Sequence, residues 1–497
     1  MSVPVPSSDL TWLHMDRPNN LMYVHGLLWF EQRPDWDAVE AVLAEQLVGR
    51  FPVFGRRARL VDGTWMWQDD PDFSLHRHIR RTTLAEPGTE AEAQAYISSR
   101  FSQPFDHEHP LWEIDLVDGV RHLPGEGDGA MLLARFHHGI ADGIRLVQLM
   151  LSLLDPLHDD VHPPAVGRSG GGGSAAGHAV RLARATASGA ADAVSGTAST
   201  LMRSRTWVTR LHPRHAASGL RRLSRPTTVT DAMSQVASED NSLVNTWRSV
   251  SRLALSGRSV DTVWSGTPGV EKRVAWVTGV TVDEVRRIGA EHGATINDVL
   301  LSAVSLGLTE YLAGKGEHSV DELTWLVPVS LRPITAEAPT ELGNKFAVVL
   351  VPLPIGIRDP DRLLHETRHR MTRIKNSAEP LVLFGVQRTI AEAPSVVSVR
   401  LTNFVANKSV GVLTNVPGPR APMALAGTQV SGVLGWVPTS GDQPLGICIF
   451  SYNGSVSIGI AADAGLVGDP NDLARHIEAA VHELGASPTG ATEAVGV

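Results

Sequence analysis

Residues 137–143 read His-His-Gly-Ile-Ala-Asp-Gly: two imidazoles, an acid four positions beyond the second, and a glycine. An imidazole with an unperturbed pKa near 6.5 is the side chain best placed to take and return a proton at neutral pH. The histidines close the apolar run 131–138 (MLLARFHH), which reads as a buried strand; 139–143 reads as a turn and 144–154 as a helix with Ile144, Val147, Leu151 and Leu154 on one face. Neighbouring side chains on a strand point to opposite faces, so His137 and His138 cannot chelate one metal ion together. What remains is acid–base chemistry by one imidazole at a strand end, with Asp142 in the turn that follows. Cys448 is the single cysteine; it sits in the apolar stretch 445–450 (LGICIF) without a charged neighbour to lower its pKa, and reads as inert core. Residues 167–171 (GRSGG) match a hydrolase nucleophile-elbow pattern, but in low-complexity sequence with no preceding strand, and read as a chance match. No dinucleotide-type GxGxxG and no Walker A lysine motif is present, so nothing points to bound nicotinamide or ATP.

These residues must be positioned by a chain of 497 residues, long enough for more than one core, which predicts two domains. The apolar fraction of 42% and charged fraction of 20% are those of a globular protein, and a net charge of -9 argues against a general nucleic-acid binder. The opening MSVPVPSSDL lacks a basic start and an apolar signal core, so a cytoplasmic location is expected. The longest apolar stretches, such as 346–354 (FAVVLVPLP), fall short of the roughly 20 residues of a spanning helix, so any membrane contact is expected to be peripheral.

Strands are expected at 21–30, 131–138, 273–280, 324–329, 346–353, 446–452 and 455–461, and helices at 34–48, 144–154, 282–292, 296–312, 360–375 and 470–484. Alternation of the two predicts an α/β class, or α+β if the sheets are mixed. Composition divides the chain into 1–155, a Gly/Pro/Ser-rich and Arg-rich connection at 156–240, a second half at 241–487 and a tail at 488–497. The connection carries Arg181, Arg184, Arg203, Arg205, Arg210, Arg214, Arg221, Arg222 and Arg225, and reads as a solvated linker or as a surface for anionic lipid.

The 137–143 segment resembles the HHxxxDG signature of coenzyme A-dependent acyltransferases and peptide-synthetase condensation domains. Further stretches narrow the resemblance: SQPFDHEHPLWE with Pro110-Leu111-Trp112, Ile296-Asn297-Asp298-Val299, Pro328-Val329-Ser330-Leu331-Arg332, Leu342-Gly343-Asn344-Lys345, Thr414-Asn415-Val416-Pro417-Gly418-Pro419 and Ser451-Tyr452-Asn453-Gly454. In this order, over nearly the whole chain, they look like the bacterial wax ester synthase and acyl-CoA:diacylglycerol acyltransferase family. The resemblance implies two chloramphenicol acetyltransferase-like subdomains with an active-site tunnel at their junction and His138 as general base. It also implies acyl-CoA as co-substrate with no further cofactor, and a long-chain alcohol or diacylglycerol as acceptor.

Within that frame His137 is expected to be held by packing or hydrogen bonds. Asp142 is expected to hold the turn that aims His138, and Gly143 to permit close approach or unusual backbone angles. Two readings stand for Asn297, an oxyanion donor or the N-cap of its helix. Pro110, Leu111, Trp112 and Asp298 fall at the substrate site, with Trp112 also readable as plain core; 415–419 reads as a tight turn. A condensation enzyme using a carrier-bound acyl donor and a non-catalytic lipid-binding protein remain as alternatives.

Overall fold

A computed structural model describes residues 2–121, 129–157, 260–330, 339, 341–344, 346–376, 383, 390 and 395–486. The Arg-rich connection, the GRSGG segment, Leu331, Arg332, Lys345 and the tail lie outside the described residues. The main elements are α1 (Ser7–Met15), β1 (Tyr23–Phe30), β2 (Ile79–Thr83), α2 (Glu90–Phe101), β3 (Trp112–Val120), β4 (Gly129–His137), α3 (Gly143–Leu151), β5 (Lys272–Thr281), α4 (Val282–Glu291), α5 (Ile296–Gly314), β6 (Glu322–Ser330), β7 (Phe346–Pro354), α6 (Pro360–Lys375), α7 (Ser395–Ala406), β8 (Gly411–Pro417), β9 (Gly432–Trp436), β10 (Leu445–Tyr452), β11 (Ser455–Asp463) and α8 (Pro470–Ala486). All belong to one compact unit save the last turn of α6.

Two mixed sheets form the frame, which makes the class α/β with α+β pairing, as expected. The five-stranded sheet runs β9-β1-β4-β3-β2 and the six-stranded sheet β7-β6-β8-β10-β11-β5. Strand β4 lies inside the first sheet between β1 and β3, antiparallel to both, with Tyr23 opposite His137 and Trp112 opposite Phe136. Its side chains divide by the two-residue period: Leu132, Ala134 and Phe136 enter one core cluster, Met131 and Leu133 another. Both faces are therefore covered, which is why the sequence up to the histidines is apolar save for Arg135, whose buried guanidinium pairs with Glu113 at 2.6 Å.

The halves of the chain interlock. Strand β9 comes from the second half yet pairs antiparallel with β1, Leu434 opposite Leu27. Leu434 and Trp436 then share a cluster with Leu27 and Trp29 of the first sheet and Val274, Trp276 and Ala461 of the second. The segment read as a turn at 415–419 is a correction: Asn415 and Val416 lie inside β8, hydrogen-bonded in parallel to β10, and the turn residues begin only after Pro417. The β-branched and apolar residues before the prolines, with partners on both sides, override the turn chemistry.

Candidate active site

Strand β4 ends on His137, and the backbone fixes both imidazole-bearing residues. The His137 N–H donates to the Leu111 carbonyl at 3.0 Å and the His138 N–H to the Met22 carbonyl at 2.7 Å. Pro110, Leu111 and Trp112 thus act on the motif through a peptide group. Their side chains are buried, and Trp112 stacks on His78 at 4.6 Å while its Nε1–H donates to the Phe54 carbonyl at 2.9 Å. Of the two readings of Trp112, the core is where the structure puts it.

Beyond the histidines, Asp142 caps α3 by accepting the Arg145 N–H at 2.9 Å, an interaction typically worth about 1 kcal/mol. Gly143 needs a correction. It is the first helical residue, its φ is not left-handed, and an added Cβ would meet nothing within 4 Å. The glycine the turn demands is Gly139, where a Cβ would lie 2.9 Å from His137 Nδ1 and 3.2 Å from the Leu13 side chain.

The two imidazoles have different surroundings. His137 is fully buried; its Nδ1 accepts the Gly139 N–H at 2.8 Å, and its Nε2 lies 3.4 Å from Asp16 Oδ2. Burial alone would raise the Asp16 carboxyl, but His107, His137 and the Met22 N–H at 2.6 Å hold it well below the usual carboxylate range. With Nδ1 already an acceptor, the neutral His137 ring carries its proton on Nε2, facing a carboxylate. His138 is buried beside apolar rings: Trp12 of α1 stacks on it at 3.9 Å and 25°, and Phe346 of β7 lies at 5.8 Å. Burial pushes its pKa down to about 4, and its own carbonyl and the Asn344 side chain oppose the fall.

Behind His138, Asn344 Nδ2 donates to the His138 carbonyl at 2.9 Å and to Asp9 Oδ1 at 3.0 Å. Gly343 has φ +121, a conformation glycine alone adopts easily, and its carbonyl faces the Asp142 N–H at 3.4 Å. Burial raises the Asp9 pKa, and Asp142 adds to the rise while Asn344 and Ser8 oppose it.

Asn297 does not cap α5. The cap is Thr295, in a reciprocal box with Asp298, whose Oδ2 accepts the Thr295 N–H at 3.0 Å and hydroxyl at 2.7 Å. Asp298, expected at the substrate site, is thereby engaged in its own helix. Asn297 stands in the first turn and accepts from Asn415 Nδ2 at 3.1 Å through Oδ1, which leaves its own NH2 group without a partner among the described residues. Cys448 is buried, and burial pushes its thiol up to about 12, so no thiolate forms near neutral pH. Sequence reading missed Trp12, Asp16 and Asp9, and assigned no role to Asn344. Each acts through partners far away in the chain, and only Asn344 lay within a segment singled out beforehand.

The comparisons with known proteins agree in one direction. The model of the wax ester synthase/diacylglycerol acyltransferase catalytic domain matches residues 6–300, and that of the WS/DGAT C-terminal domain residues 342–485. A Mycobacterium tuberculosis H37Rv protein named as a probable diacylglycerol O-acyltransferase is 27% identical over 467 residues, spanning 91% of this chain and 88% of that one. The O-acyltransferase WSD of Acinetobacter baylyi is 23% identical over 486 residues, spanning 96% and 95%. Among solved structures, the wax ester synthase/diacylglycerol acyltransferase from Marinobacter aquaeolei VT8 matches with TM-score 0.64 at 18% identity, over 97% of this chain and 98% of that one. The first condensation domain of the calcium-dependent antibiotic synthetase, in complex with a substrate analogue, matches at 0.55 and 12% identity, over 99% and 98%. At these identities the structural matches speak for the fold.

Proposed function

The chain belongs to the wax ester synthase/diacylglycerol acyltransferase family, and on that premise we propose that it moves a fatty acyl group from acyl-CoA to the hydroxyl of a long-chain alcohol or diacylglycerol, with His138 as general base. The observation that carries this reading is the unequal engagement of the two histidines. His137 spends Nδ1 on Gly139 and has Nε2 3.4 Å from Asp16 Oδ2, whereas Nδ1 of His138 is buried with no hydrogen-bond partner among the described residues. A ring kept neutral by burial is ready to accept a proton.

The reaction needs no covalent enzyme intermediate. The acceptor O–H gives its proton to His138 as the oxygen attacks the thioester carbon; the C–S bond breaks, and the imidazolium returns the proton to the departing sulfur. A thiolate of ordinary pKa near 8.5 leaves more easily than an alkoxide, which drives the transfer forward. A base of pKa about 4 is weak, but the oxyanion that develops beside it restores the charge balance that burial removes. Asn297, steadied by Asn415 and with its NH2 group free, is our candidate donor to that oxyanion.

Among the described residues no helix is long and apolar enough to cross a membrane. A peripheral contact with a membrane or lipid droplet, carried by the Arg-rich connection, belongs to the same proposal because acceptors of this class dissolve in lipid.

Thiol release from palmitoyl-CoA, measured with hexadecanol, dioleoylglycerol and hexadecylamine as acceptors, tests the function. Release dependent on a hydroxyl acceptor, with ester formed, is expected. Preference for the amine or a requirement for a carrier-bound donor would favour a condensation enzyme, and binding without release a lipid-binding protein.

A further inference from the structure

Helix α7 is built inside out. Its buried residues are Ser398 and Ala406, and Thr402 turns its hydroxyl back to the Ser398 carbonyl at 2.9 Å. Val396, Val397, Leu401 and Phe404 face solvent instead, Val396 62% and Phe404 56% exposed. A surface helix ordinarily does the reverse. Single exposed apolar residues need no explanation, but four of the ten large apolar side chains exposed among the described residues stand on these twelve positions. At 3.6 residues per turn, those four and the exposed Arg400 fall within one arc of about 140°. The helix has no acidic residue, and the Lys408 ammonium just beyond its end lies 4.5 Å over the Phe404 ring. The inner face of α7 meets α1: the Ser398 and Thr11 hydroxyls stand 3.5 Å apart, and the next residue, Trp12, stacks on His138 at 3.9 Å. Leu10 and Leu13 of α1 are themselves only partly buried.

We propose that the outer face of α7 is an interfacial anchor, which inserts Val396, Val397, Leu401 and Phe404 among the headgroups of an anionic lipid bilayer. The anchor holds the α1 side of the site against the source of the acceptor; the choice of a lipid surface rests on the proposed acceptor class. An apolar helix face with basic residues and no acid is the composition that lies in such an interface, its cations meeting the headgroup charge. A second copy of the chain fits the face less well. In a two-fold pair the stripe would meet itself, bringing Arg400 against Arg400 with no acid on the helix to separate them. This contact is apolar and local to α7, and so is distinct from any contribution of the Arg-rich connection.

The test reads the face directly. The native thiol, Cys448, is buried, so a nitrobenzoxadiazole fluorophore can be attached at a single introduced cysteine. In full-length Leu401→Cys so labelled, vesicles of phosphatidylglycerol and phosphatidylcholine are expected to blue-shift the emission, and a spin-labelled lipid to quench it. The same label on Arg286→Cys, exposed on α4, should not respond. Leu401→Ser combined with Phe404→Ser should weaken vesicle partitioning by at least about tenfold at unchanged Tm. Turnover of vesicle-borne dioleoylglycerol should fall with it, while turnover of a short water-soluble alcohol stays as it is. A label at 401 silent in the presence of vesicles, or partitioning unmoved in the folded double variant, would overturn the proposal. So would a blue shift that needs no lipid and grows with protein concentration alongside a dimer in sedimentation, which would give the face to a second copy. Should the double variant fail to fold, the label still decides. Failure of the wild type to acylate any hydroxyl acceptor would instead sink the proposed function, while the label would still report on the lipid contact.

Discussion

His137 and His138 are neighbours of identical chemistry, yet they stand in different surroundings, one beside a carboxylate and the other against aromatic rings. His137 has a backbone donor on one nitrogen and a carboxylate near the other. His138 lies against the Trp12 and Phe346 rings, and burial keeps it neutral. Chain position explains the difference: His137 is the last strand residue and still faces the interior, while His138 follows the strand, where the turn at Gly139 redirects the chain. On the proposed mechanism, the doubled histidine supplies one residue to fix the strand end and one for chemistry.

Breaking each half of the pair should give opposite phenotypes. His138→Ala should lower the thiol-release rate by about 10²- to 10⁴-fold, the usual contribution of a positioned base, with Tm unchanged. Retention of more than about a tenth of the wild-type rate would remove His138 from the base role. His137→Ala removes one of the groups around the Asp16 carboxylate and leaves a cavity at the strand end, and should lower Tm and soluble yield first; a variant fully stable yet inactive would mean that the roles are reversed.

The turn between them sharpens the contrast. Gly139→Ala forces a methyl against His137 and Leu13 and should cost about 1–3 kcal/mol in denaturant unfolding, whereas Gly143→Ala, with open space around it, should be neutral or slightly stabilising. Equal effects would mean the turn does not depend on the Gly139 contact. At Asp142, Ala should remove the cap at about 1 kcal/mol and Asn should be milder. Complete inactivation by both at normal Tm would assign Asp142 a direct electrostatic role.

The smallest effect concerns membrane contact. Flotation with anionic vesicles should weaken as salt shortens the Debye length from about 10 Å at 0.1 M. Neutralising Arg203, Arg205, Arg210 and Arg214 should reduce flotation without changing turnover of a short soluble acceptor. Unchanged flotation returns the segment to a solvated linker.

How much of this was legible in the sequence follows the range of the interactions. Strand β4, helices α4 to α6 and α8, and strands β10 and β11 announced themselves because their patterns are long and local. Strand β9 was silent: five residues with two glycines, given strand form by a partner some 400 positions away. Helix α1 was silent because Leu10, Trp12, Leu13 and Met15 make no clean apolar stripe. The motif marked the chemistry, but Trp12, Asp16 and the Asp9–Asn344 pair meet it only through tertiary contact; the last joins residues 335 positions apart. Gly143 was misread for the same reason, since a motif names positions without saying which are engaged in a helix start.

The most direct test of the central claim is the acid limb of kcat/KM for acyl transfer, read by rapid pH jump so that the rate is taken before any unfolding. With a free-enzyme pKa of about 4, His138 stays neutral as pH falls through 6.5, so kcat/KM should hold level from neutral pH to about 5 and then fall roughly tenfold per unit below 4. A limb centred near 6.5, the value of an unburied imidazole, would contradict the assignment of the buried His138 as the base.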